Sequence, residues 1–83
     1  MDDAQMLAKV KVALGITGDY LDATLQQQIN TVVNYLVRGG IKKSKIDVGI
    51  VARGVSDTWD YVGGSGKFSP MFENMATQLS YEK

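Results

Sequence analysis

Apolar residues recur along this chain at three- and four-residue spacing in four stretches, separated by three glycine-bearing breaks. That period is helical, because 3.6 residues per turn bring such positions onto one face. The first stretch runs from about Asp3 to Leu14 and carries Met6, Leu7, Val10, Ala13 and Leu14. Asp2 and Asp3 stand where carboxylates accept the unpaired N–H groups of a first turn. Gly15 supplies a left-handed stop onto which Ile16 can fold back, and GITGDY reads as a short turn. The second stretch, from Asp22 to about Val37, places Leu25, Ile29, Val32, Val33 and Leu36 on one tight stripe. Arg38 suits the negative end of that helix, and Gly39–Gly40 terminates it.

Ser44 with Asp47 three residues on reads as a capping box that opens the third helix. Its main stripe is Val48, Val51, Ala52, Val55, Trp59 and Val62, with Ile50 and Tyr61 on a second face. A helix apolar over so much of its circumference belongs at the centre of a bundle. Gly49 and Gly54 each cost about 1 kcal/mol relative to alanine in a helix. With Ala52 and Ser56 they leave a low profile that lets another helix come close. The fourth helix opens with Ser69 as cap and Pro70 at the first position, and buries Met71, Phe72, Met75, Ala76 and Leu79. No alternating strand pattern, repeat or low-complexity tract competes with this reading. The expectation is an all-α fold, a compact bundle of about four short helices, in one domain spanning 1–83.

Composition narrows the chemistry. Nine Lys+Arg balance nine Asp+Glu, so the formal net charge is zero, which argues against a surface that grips phosphates everywhere. Cysteine and histidine are both absent, removing disulfides, thiolate and imidazole metal ligands and the commonest general base. No apolar run approaches the roughly 18–20 residues of a membrane span, and MDDAQM lacks the basic start of a secretory signal. The expectation is a protein that is not an enzyme, with no catalytic residue, no metal and no cofactor.

Several motifs invite a chemical reading. GGSGKFS puts glycines and Lys67 before a helix, but a phosphate-binding P-loop needs Ser or Thr after the lysine and a strand in front. Here Phe68 follows Lys67, Tyr61 stands at the first glycine position, and a helix precedes the loop. Asp57 and Asp60 sit three residues apart and could act as a carboxylate pair; Arg53, four residues before Asp57, offers a helical ion pair instead. Arg38, Lys42, Lys43 and Lys45 place four cations in eight residues, either a solvated loop or a patch that meets phosphates or an acidic partner. Trp59 fits a core position better than a base-stacking platform.

The polar side of the second helix is the most unusual feature. Between Asp22 and Arg38 there is no charged residue, yet Gln26, Gln27, Gln28, Asn30, Thr31 and Asn34 are polar. Gln27, Thr31, Asn34 and Arg38 share one stripe opposite the apolar one. Solvated faces usually carry Lys and Glu, whereas protein interfaces are depleted in both. The stripe is therefore a candidate contact with another subunit, against the plainer reading of a solvated face. Lys67 and Phe68 are a second candidate contact, with the alternative that Phe68 folds over its own helix end.

KVKVALGITGDYLDATLQQQI, then VGIVARGVSDTWDY, then GGSGKFSPMFENMATQL together resemble the small helical head–tail connector proteins of tailed bacteriophages. The resemblance spans essentially the whole chain and is most distinctive from Ile50 to Phe72. It implies a virion structural protein at the head–tail junction, made in the bacterial host cytoplasm. It further implies a homo-oligomeric ring beneath the portal protein that also binds a downstream adaptor or tail protein. Packaged DNA would pass through that ring without sequence-specific binding, and no membrane is involved. The relatives vary across Arg38–Lys45, so no role carries over to that segment. The alternative is a small DNA-binding regulator of helix-turn-helix type, which four short helices can also hold.

Overall fold

In a computed structural model, residues 3–81 are described. They form four α-helices: α1 (Asp3–Leu14), α2 (Asp22–Arg38), α3 (Val48–Thr58) and α4 (Pro70–Tyr81). Two single 3-10 turns, Lys43–Lys45 and Asp60–Val62, flank α3, and no strand occurs among the described residues. The all-α bundle expected from periodicity is the observed architecture. Asp2 lies outside the described residues; Asp3 opens α1.

The two helix ends marked by glycine close in the same way. Gly15 has φ 71° and Gly40 has φ 92°, a conformation in which a side chain would be strained. Past Gly15, the Ile16 N–H donates to the Lys11 carbonyl at 2.9 Å, and past Gly40, the Ile41 N–H donates to that of Leu36 at 3.1 Å. The bond from the residue after the left-handed glycine back five positions is the Schellman closure. Each time an isoleucine follows and turns inward: Ile41 is buried and Ile16 packs against the core. The turn between α1 and α2 is tied further by Lys11, which donates to the Gly18 carbonyl and pairs with Asp22 at 2.8 Å.

The central helix is α3, packed against α1, α2 and α4. Ile50, Val51 and Val55 are fully buried on it, facing Val10 of α1, Leu25, Ile29, Val32 and Leu36 of α2, and Phe72 of α4 in one core. Gly54 permits this. A Cβ built there would stand 2.7 Å from both Val32 and Phe72 side chains, inside any real contact. Gly49, expected to share this role, is exposed, and a Cβ on it meets only the Asp47 carboxylate at 3.3 Å.

Both ends of α3 differ from the sequence expectation. The cap is Asp47, whose Oδ1 accepts the Ile50 N–H at 3.0 Å, while Ser44 sits inside the preceding 3-10 turn. Ile46 and Val51 then occupy the two positions of a hydrophobic staple around that cap. At the other end the helix stops at Thr58 rather than running to Val62. Trp59 is extended, at φ −94° and ψ 113°, which keeps its indole buried and stacks it on Tyr61 at 5.1 Å. Tyr61 lies mostly exposed and meets the Tyr20 hydroxyl at 2.9 Å, so the expected second face of Ile50 and Tyr61 is buried only at Ile50. Trp59 and Val62 keep the apolar spacing past Thr58, so periodicity alone does not reveal the break.

Gly54→Ala should destabilise the fold by about 1–3 kcal/mol through overpacking, despite alanine's better helix propensity. Gly49→Ala should cost less than Gly54→Ala, since its one tight neighbour is the Asp47 oxygen and no core side chain. Urea denaturation followed by far-UV circular dichroism separates the two, and equal losses would contradict the packing described here.

Candidate functional site: the groove between α2 and α4

Both α2 and α4 rest on α3, but they meet each other mainly through rings. Tyr35 of α2 lies 4.6 Å from Phe68 and 6.1 Å from Phe72, and Phe68 stacks on Phe72 at 4.2 Å. Beyond this aromatic contact the two helices leave an open groove of about 830 Å³. Thr31, Asn34 and Arg38 line it from α2; Glu73, Thr77 and Ser80 line it from α4. Three of the four residues of the polar α2 stripe, Thr31, Asn34 and Arg38, therefore share one cleft. Gln27 does not reach it, being exposed one turn earlier, where its carbonyl accepts the Thr31 hydroxyl at 3.0 Å.

The groove is sparsely charged and mixed in character, with Leu36, Ile41 and Ala76 lining it beside the polar side chains. Arg38 and Glu73 are its ionic groups, and neither forms an ion pair among the described residues. Asn34 is exposed, and the Thr77 and Ser80 hydroxyls donate to the carbonyls of Glu73 and Thr77 within their own helix. Such a lining can hydrogen-bond a polar surface with little ion desolvation. No group of three or more His, Cys, Asp or Glu side chains that could hold a metal ion occurs among the described residues.

Lys67 and Phe68 belong to a different place. They line a smaller cleft of about 440 Å³ with Arg53, Asp57 and Ser69, which shares no residue with the α2–α4 groove. Lys67 is exposed, whereas the half-buried Phe68 ring lies over the first turn of α4. Tyr35 was not singled out in the sequence. It follows Asn34 directly, between two residues of the polar stripe, is 47% exposed, and its ring links the groove to the Phe68 stack.

The glycine-rich loop has its own explanation in the Asp57 carboxylate. Asp57 is buried, at 7% exposure. Its Oδ1 accepts the Arg53 guanidinium at 2.7 Å, and its Oδ2 accepts the Ser69 N–H at 3.0 Å and the Ser69 hydroxyl at 2.6 Å. The same hydroxyl oxygen accepts the Phe72 N–H at 3.2 Å, so Ser69 caps α4 as expected. The backbone carbonyl of Asp57 accepts the N–H groups of Ser65 at 2.8 Å and Gly66 at 3.3 Å. A built-in carboxylate thus occupies the helix N-terminus where a P-loop would hold phosphate, and the loop amides close the end of α3. A Cβ on Gly64 would come within 2.6 Å of the Ser56 carbonyl oxygen, which is why this loop must pass as glycine. Asp60 is exposed and takes no part, so the two aspartates do not act as a pair.

Burial pushes the Asp57 carboxyl up, but the hydrogen bonds from Arg53 and Ser69 outweigh it and hold the group below its usual 3.8. A carboxyl lowered on folding stabilises the native state above its unfolded value, and that contribution is lost as pH falls through the lowered native value.

No protein-family model, curated protein or solved structure matches this chain.

Asp57→Ala should cost about 2–3 kcal/mol at neutral pH, because it strands the donors of Ser69 and removes the Arg53 partner. The deficit relative to the parent should shrink as pH falls below about 4, where the parent loses the same contribution. Denaturation midpoints at pH 7 and pH 3 test this; a deficit of equal size at both would show that the carboxylate charge is immaterial.

Proposed function

We propose that this chain is a virion structural protein, a head–tail connector subunit of a tailed bacteriophage. It works by assembling as a ring beneath the portal and joining the DNA-filled capsid to the tail, with no catalytic step. The observation that carries the reading is the α2–α4 groove, where an exposed helix face without lysine or glutamate opens into a cleft of mixed polar and apolar lining. A neighbouring protein surface can fill such a cleft at small desolvation cost. Thr31, Asn34 and Arg38 are the groove contacts, and Gln27 extends them by one turn. Lys67 and Phe68 offer a second contact on a separate cleft. Head-to-tail rings need two different faces on each subunit, and clefts with no shared residue are compatible with that requirement. No helix among the described residues is long and apolar enough to cross a membrane.

A helix-turn-helix regulator is less well supported. The helix that follows GGIKKSK is α3, with Ile50, Val51, Ala52 and Val55 buried on three other helices, so little of it is left to enter a major groove.

Deleting the gene from the phage or prophage that carries it should leave heads and tails unjoined in electron micrographs of the lysate. Thr31→Lys with Asn34→Lys adds two charges to exposed groove positions, and should reproduce that defect while leaving the isolated fold intact. Normal numbers of infectious virions in the deletion strain would overturn the connector reading.

A further inference from the structure

The segment between α2 and α3 carries three lysines that the groove does not use. Lys42 and Lys43 are exposed and Lys45 is half-buried, and none of the three pairs with an acid among the described residues. This is not a free lysine-rich loop. At its start Ile41 is buried and donates its N–H to Leu36. Inside it, the N–H groups of Lys45 and Ile46 bond back to the carbonyls of Lys42 and Lys43 at 2.9 and 3.1 Å, and Ile46 packs against the core. The backbone is held at both ends, so the cations stand on a rigid single turn.

The acids nearby do not cancel them. Asp47 keeps its negative charge while one oxygen caps α3, and Asp3 lines the same cleft as Lys43 without reaching ion-pair distance, so two carboxylates stand near three lysines. A chain with zero net charge therefore presents a local excess of positive charge at this turn. No large apolar side chain is exposed between residues 38 and 47. Protein partners are usually anchored by a buried apolar or aromatic contact, whereas a duplex backbone is bound by cations alone.

We propose that Lys42, Lys43 and Lys45 form a phosphate-contacting surface for duplex DNA, indifferent to base sequence. The surface acts in the single chain and does not depend on the connector reading; in a ring, each subunit would add one copy and the weak contacts would multiply.

The test is a titration of the ¹⁵N-labelled full chain with two unrelated duplexes of about 20 base pairs, read by amide shifts. Shifts should centre on residues 41–46 and be alike for both duplexes. With three phosphate contacts the affinity should fall with a log–log slope near −2.7, roughly 80-fold between about 20 and 100 mM salt. The variant K42Q/K43Q/K45Q should lose this binding while keeping its amide spectrum elsewhere, and Lys9→Gln, at an exposed position of α1, should retain it. Parent-like binding by the triple variant, shifts centred elsewhere, or no complex at the lower salt would overturn the proposal. So would a strong preference for one duplex, or tighter binding to poly-L-glutamate than to DNA, which would indicate an acidic protein partner.

Discussion

A charged group taken out of water must be met on several sides at once, and Asp57 is the buried carboxylate around which this small fold is arranged. Arg53 meets it from its own helix, while Ser69 meets it from twelve residues away with both N–H and hydroxyl. Because Ser69 also caps α4, satisfying the charge sets where α4 begins. The loop between them is then short of freedom: its amides close the Asp57 carbonyl near the end of α3, and Gly64 has to pass against the backbone of Ser56 and Asp57. One interaction thereby positions a helix, a loop and the Phe68 ring stacked on Phe72.

The groove follows from the same arrangement. Once α4 is held on α3 at Asp57 and Gly54, it cannot also lie along the whole of α2. Tyr35, Phe68 and Phe72 bridge the two helices near one point, and the remainder stays open. The α2 face that lacks lysine and glutamate thus borders a cleft that another surface can enter, and this links the central packing to the proposed assembly role.

Much of that site was readable from the order of residues. Gln27, Thr31, Asn34 and Arg38 stand out because helical spacing aligns them and because ordinary solvated faces carry lysine and glutamate. Their partners across the groove were not readable. Glu73, Thr77 and Ser80 look like an unremarkable polar side of α4, and only the crossing of two helices on a third brings them opposite Asn34. Tyr35 was hidden for a related reason: an aromatic next to a polar stripe fits either face until its ring partner is known.

Sequence alone determined the helices, their glycine stops and the central place of α3, since period, caps and left-handed turns are local properties of neighbouring residues. Even the Arg53–Asp57 pair is local, four residues apart on one helix. Tertiary structure decided what those local signals leave open. It ended α3 at Thr58 and separated Gly54, which packs, from Gly49, which does not. It also joined Asp57 to Ser69 and so filled the apparent phosphate cradle with the protein's own carboxylate. The physical reason is common to all of these. Each depends on burial and on contacts between residues distant in the chain, which act only once the helices have packed.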